Sequence, residues 1–253
     1  MSSHKFLSYL VTALLFVSFN TAADILVYDN NSNNSYAQAG AASLGQPVTV
    51  ANSGDFDTLL ASQVWSVVLV DCPSTIPASG WTALIAYING GGKVAMSFWD
   101  WDNDSGQGDP GLFTAFGFNT ATSFSLTDGV DTLSAASTAA GSVVFAGNPG
   151  MPHSSWFNSW GDDGDVFTFT GGEPVAYLDF SPDPVSIVNA NGNAISTFAV
   201  DEWSGPGAAE YWTGMAVYLL NAGTTPIPVL SRSGGLVLIL LLSIFGLAVV
   251  RRF

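Results

Sequence analysis

Four short apolar runs recur in the first half of this sequence, and their spacing constrains the fold more than any other feature. They are DILVYD (24–29), PVTVAN (47–52), WSVVLVDC (65–72) and KVAMSFWD (93–100). The runs are short, rich in β-branched residues and apolar at successive positions, as strands buried on both faces are. Between them lie segments of helical composition. SYAQAGAASLG is closed by Gly45, DFDTLLAS is opened by Asp55, and SGWTALIAYINGGG starts at Ser79 and stops at Gly90 to Gly92. DPGLFTAFGF follows, opened by Asp109 and Pro110. This alternation predicts an α/β fold with a parallel-rich sheet flanked by helices. Past Thr120 the pattern becomes short alternating runs broken by Gly171-Gly172, Pro182-Asp183-Pro184 and Asn191-Gly192. Such breaks predict an antiparallel C-terminal extension with tight turns, and AEYWTGMAVYLLNAG (209–223) predicts a last helix.

The two ends read differently from the body. Lys5, the apolar stretch Phe6 to Phe19 and the small residues Thr21-Ala22-Ala23 have the three parts of a secretory signal peptide over residues 1–23. An uncleaved anchor is the alternative reading, although the apolar stretch is short for a bilayer span. At the other end, residues 234–250 carry no charge, and Arg251 and Arg252 follow at once. A helix of that length rises about 25 Å, the lower end of what crosses a bilayer. A basic end stays cytoplasmic, which would leave the body on the far side of that membrane. The expected organisation is therefore a signal peptide (1–23), an exported α/β domain (24–223), a linker with a motif (224–233) and a transmembrane helix with a basic end (234–253).

Charge excludes one class of function. The chain holds five basic and 20 acidic residues, and between residues 24 and 225 one lysine, Lys93, stands against all 20 acids, a net −19. Such a surface offers nothing to replace the counterions of a phosphate backbone, so nucleic acid is not an expected partner. Acidity serves solubility or attracts divalent cations. The single cysteine, Cys72, rules out an intrachain disulfide, so packing must supply the stability.

Ile227, Pro228, Leu230 and Ser231, the apolar run after them and the closing Arg251-Arg252 resemble the IPTL-CTERM class of bacterial C-terminal sorting signals, relatives of the PEP-CTERM signals. Val229 stands where that class has threonine. The resemblance covers about the last tenth of the chain. It implies export through the Sec translocon, an inner-membrane intermediate, and recognition by an exosortase-type membrane protease. The product would then sit at the cell surface or outer envelope, or outside the cell. A plain single-pass anchor is the alternative. The run ALIAYINGGGKVAMSFWD is similar to the glutamine-amidotransferase-like α/β fold, a flavodoxin-type relative. Enzymes of that superfamily set a nucleophilic Cys in a Gly-x-Cys-x-Gly elbow, with a later His and Glu. Here Cys72 lies in VDCPST and the body's one histidine, His153, in GMPHSSW. The resemblance thus implies the fold and not its chemistry.

Three groups of residues remain as candidates. Cys72 with His153 would be a thiol and a base, the pairing nucleophilic catalysis uses. Asp100, Asp102 and Asp104 alternate in WDWDNDSGQGD with Asp109 beyond, and carboxylates spaced so in a loop can converge on calcium. That loop departs from the EF-hand pattern, with Ser105 at the sixth position, where that pattern has glycine. Asp162, Asp163 and Asp165 form a second acidic group. Trp99, Trp101, Trp156 and Trp160, beside Gly/Asp-rich loops, could stack on a glycan, or simply pack. The expected role is a non-catalytic envelope or matrix domain; the alternatives are a calcium- or glycan-binding module and a divergent amidotransferase-like hydrolase.

Overall fold

The computed structural model describes residues 24–29, 34–72, 74–124, 131–145, 150–153, 164–179, 181–200 and 207–222. The chain clusters into two units, Met1–Leu220 and Asn221–Phe253, and of the second only Asn221 and Ala222 are described. The signal-peptide segment, the motif Ile227 to Ser231, the apolar run and Arg251-Arg252 all lie outside the described residues. Among the described residues no helix is long and apolar enough to cross a membrane.

The expected alternation is present. β1 (Ile25–Asp29), α1 (Tyr36–Ser43), β2 (Val48–Ala51), α2 (Phe56–Ser62), β3 (Val67–Cys72), α3 (Thr82–Asn89), β4 (Val94–Phe98) and α4 (Pro110–Phe116) follow in order. Then come β5 (Phe118–Phe124), β6 (Asp131–Ala135), α5 (Ala139–Val144), β7 (Gly150–His153), β8 (Gly164–Phe169), β9 (Glu173–Leu178), β10 (Ser186–Val188), β11 (Ala194–Thr197) and α6 (Ala208–Asn221). Nine strands form one mixed sheet in the order β2-β1-β3-β4-β11-β10-β9-β6-β7. β2, β1, β3, β4 and β11 run parallel, and the pairs from β11 to β7 are antiparallel. The C-terminal strands therefore continue the sheet, because β11 returns to pair with β4. β5 and β8 form a separate antiparallel ribbon.

Local chemistry explains the element ends. Asp109 accepts the Gly111 N–H at 2.7 Å, Pro110 opens α4, and Gly117 closes it in the left-handed region at φ 79°. Thr138 caps α5 in the same way, accepting the Gly141 N–H at 3.0 Å. All six residues of β3 are buried, which is why its apolar run is continuous. Side-chain alternation sends Ile25, Val27, Val67, Leu69, Ala95 and Ile195 to the face covered by α1, α5 and α6. Leu26, Tyr28, Val68, Val70, Met96 and Phe98 face α2, α3 and α4. Each fully buried aliphatic side chain contributes about 1.5–3 kcal/mol by leaving water.

Candidate site at the carboxyl edge of the sheet

In open α/β sheets, ligands bind where the parallel strands end. β4 ends at Phe98, and the chain then turns through the acidic stretch. Asp100 organises that turn. It is fully buried, and its carboxylate accepts the backbone N–H groups of Ser105 at 3.0 Å, Gln107 at 2.7 Å and Gly108 at 3.0 Å. Asn103 sits at φ 63° in the left-handed region, where asparagine is tolerated. A Cβ on Gly108 would come within 2.8 Å of both Asn103 Cβ and Asp100 O, so only glycine closes the loop this tightly. Asp102 accepts the Asp104 N–H at 3.1 Å and the Ser123 hydroxyl at 2.7 Å. Asp104 accepts the Ser105 hydroxyl at 3.1 Å.

Asp100, Asp102 and Asp104 each place one carboxylate oxygen within 4.8 Å of the others. Asp109, expected beside them, instead caps α4. Burial holds the Asp100 carboxyl above the usual carboxylate range. Its three N–H partners oppose that, and the hydrogen bond shared with Asp104 adds to it. The group thus concentrates negative charge at the end of β4. As a cation site it fits in part: Asp102 and Asp104 reach solvent, while both Asp100 oxygens already serve the loop backbone. Of the second acidic group, Asp162 and Asp163 lie outside the described residues. Asp165 is buried on β8 and accepts the Trp101 N–H at 2.9 Å.

Cys72 ends β3 and is fully buried. Its thiol donates to Thr75 O at 3.4 Å, and Tyr28 Oη donates to the same carbonyl. Burial, with Asp71 alongside, pushes the thiol well above its ordinary pKa. A thiol so placed is a poor nucleophile. His153 lies on β7, the far edge strand, with five strands between it and β3. At the usual strand spacing that is about 29 Å. The fold does not bring Cys72 and His153 together.

The tryptophans fall mostly in the core. Trp65, Trp81, Trp101 and Trp212 are buried, and Trp99 is half-buried; Trp156, Trp160 and Trp203 lie outside the described residues. Trp101 is the hub of an aromatic cluster. Its ring meets Phe98, Phe116, Phe118 and Phe167 edge-on at 5.0–6.0 Å, and its indole N–H donates to Thr197 O at 2.8 Å. A ring used this way is not available to stack on a sugar.

One polar feature of this edge was not anticipated. Asp29, Asp71, Ser97, Thr197 and Ser186 stand in register on five adjacent strands, on the α6 side of the sheet. Asp71, Ser97, Thr197 and Ser186 are buried. Ser97 Oγ donates to Phe198 O at 3.0 Å and accepts the Val200 N–H at 2.9 Å. The Thr197 hydroxyl and Tyr211 Oη lie 3.1 Å apart, and burial pushes the Tyr211 phenol up to about 12. Gln38 Nε2 donates to Asp29 at 2.6 Å. The row ties β11 and the start of α6 to the parallel strands. The apolar runs hid it, because each strand contributes only one such residue near its end.

No protein-family model matches this chain, and no curated protein matches it. Solved structures do. A protein from Thermoplasma acidophilum that carries the description of a GMP synthase component superposes with a TM-score of 0.52 at 11% identity, over 78% of this chain and 94% of that one. A ThuA-like protein from Bacteroides uniformis gives 0.54 at 12% identity, over 80% and 93%. A glutamine amidotransferase from Methylobacillus flagellatus gives 0.49 at 12%, over 79% and 95%. At these identities the likeness speaks to architecture alone: the body is similar in its α/β arrangement to the glutamine amidotransferase-like fold.

Proposed function

We propose that this chain is exported and sorted to the bacterial envelope by its C-terminal segment, and that its amidotransferase-like body serves there as a non-catalytic surface or matrix domain. The single observation that carries the second half is the state of Cys72. The body's one thiol is sealed beneath Thr75, with its pKa raised by burial and by Asp71, and His153 is on the far edge strand. The first half rests on Ile227, Pro228, Leu230 and Ser231, the uncharged run and Arg251-Arg252. Its partners are the Sec translocon, an exosortase-type protease and, through the C-terminal helix, the membrane. Fractionation with intact-mass measurement of the native product tests the reading. The expected product lacks residues 1–23, ends near Ile227 to Ser231, and is found outside the cytoplasm. Recovery from the cytoplasm with Met1 and Phe253 in place would falsify it.

A second reading is favoured by the three gathered carboxylates: a weak calcium site on Asp102 and Asp104 with Asp100 behind them. Calcium takes six to eight oxygens and tolerates irregular loops. At matched ionic strength, millimolar calcium should raise the Tm of the protein above its value in sodium chloride. The rise should vanish in Asp102→Asn/Asp104→Asn. Equal Tm values in the two salts would dispose of the calcium site.

A further inference from the structure

At the end of the parallel strands opposite the acidic loop, the turns after α2 and α3, the start of β4 and the last turn of α6 line an open cavity of about 730 Å³. That is the size of a small-molecule site. Leu60, Val64, Trp65 and Tyr87 give it apolar walls, and Lys93 is its single charged residue. No acidic side chain lines it, although the body carries 20 of them. The length of β4, about 17 Å, separates it from the acidic loop.

The walls are held in place from within. Tyr87 Oη donates to Trp65 O at 3.1 Å, and the Tyr87 ring lies against Gly92, where a Cβ would overlap it. The Trp65 indole N–H donates to Leu59 O at 3.0 Å. The N–H groups of Gly90, Gly91 and Gly92 close α3 on Ala86 O, Ile88 O and Tyr87 O, each at 2.9 Å. Lys93 is the group left with capacity. One of its three donors goes to Leu220 O at 3.2 Å. No carboxylate among the described residues pairs with it; Asp24, just before β1, is held by Gln63 Nε2 at 3.1 Å instead. Burial holds the ammonium below its ordinary pKa, with no opposite charge to offset it. A half-buried charge is ordinarily paired, and here the body's one cation has no carboxylate in a body full of them.

We propose that this cavity binds a small organic monocarboxylate, with its carboxylate on Lys93 and its apolar body against Leu60, Val64 and Tyr87. The two spare ammonium donors call for a charged acceptor, and a carboxylate supplies one. A cationic ligand would meet the ammonium directly and is drawn instead to the acidic loop at Asp100 to Asp104. A polyanion is repelled by the rest of a net −19 body, so a single charge on an apolar frame is what the site admits. The apolar part leaves water against the walls, and Val64, 93% exposed at the rim, gains cover. The site stands apart from both the sorting segment and the calcium loop, so it can fail or hold independently of either.

Three probes with one apolar body and different heads test this: phenylbutyrate, phenylbutanol and phenylbutylamine. In equilibrium dialysis of the full chain at about 0.15 M salt, phenylbutyrate should bind at one site per chain, roughly tenfold tighter than phenylbutanol. Phenylbutylamine should not displace it. Lys93→Met keeps an apolar side chain of similar length and removes the charge. That variant should bind phenylbutyrate no better than phenylbutanol, while its retained binding of phenylbutanol shows that the cavity is intact. Val64→Asp, at the exposed rim, should weaken phenylbutyrate more than phenylbutanol. If Lys93→Met does not fold, Val64→Asp decides the matter alone. Three results overturn the proposal: phenylbutyrate binds no tighter than phenylbutanol; the preference survives in Lys93→Met or is unchanged in Val64→Asp; or phenylbutylamine displaces phenylbutyrate.

Discussion

At the end of β4, one buried carboxylate accepts three backbone N–H groups, and that arrangement gives Asp100 a measurable signature. Asparagine at this position keeps one acceptor and turns a donor toward N–H groups that already donate. Asp100→Asn is expected to cost about 2–4 kcal/mol, as buried donors lose their partner. The pH dependence has a definite sign. The folded-state pKa is raised, so the folded protein binds more protons than the unfolded one between the ordinary carboxylate value and the raised one. This group's contribution to stability therefore falls as pH rises through that window. Its benefit is greatest below the ordinary value. The Tm advantage of the wild type over Asp100→Asn should be larger at acidic than at neutral pH. A constant difference would show that Asp100 does not titrate as placed.

Among the elements, α6 shows how closely backbones approach in this fold. A Cβ on Gly214 would lie 1.8 Å from Val144 O at the end of α5, and one on Gly40 in α1 would lie 2.7 Å from Trp212 Cβ. Neither neighbour is the tip of a flexible side chain. Gly214→Ala should cost about 3 kcal/mol or more, because a well-packed core resists inserted atoms. Chemical denaturation would record it as a lower midpoint with the slope unchanged. The β10–β11 turn shows the same economy with polar atoms. Asn193 Nδ2 donates to Ile88 O at 3.0 Å and to Gly92 O at 2.8 Å, while Asn189 Oδ1 accepts the Asn193 N–H at 3.1 Å. The two asparagines join the end of α3 to a turn roughly a hundred residues later. In sequence they look only like turn residues, which is the local half of their role.

For the whole molecule, charge is the dominant surface property. Lys93 is the only cation between residues 24 and 225, and it caps α6: its Nζ donates to Leu220 O at 3.2 Å, in the helix's last turn. The 20 acids repel one another with nothing opposite, so salt should stabilise this protein by screening. The Tm should climb steadily with sodium chloride from low ionic strength to about 0.5 M, where the Debye length has shrunk to a few ångströms. A flat response would mean the acids are too far apart to interact.

Local rules made much of this legible in advance. The continuous apolar runs of β1, β3 and β4, the glycine stop after α3 and the Asp109-Pro110 opening of α4 are all local features. Each depends on neighbours within one or two turns of chain, so residue order alone determined them. The alternation of α/β units followed from the same signals. Which strands became neighbours was decided only in the tertiary structure. β11 pairs with β4 across about a hundred residues, and that one pairing lines up Asp29, Asp71, Ser97, Thr197 and Ser186. The same pairing interposes strands between Cys72 and the strand of His153. Asp109 went to a helix cap rather than to the other carboxylates because a free helix N–H lay within its reach. Apolar period is read within a segment, whereas register between distant strands is set by the packing of the whole core.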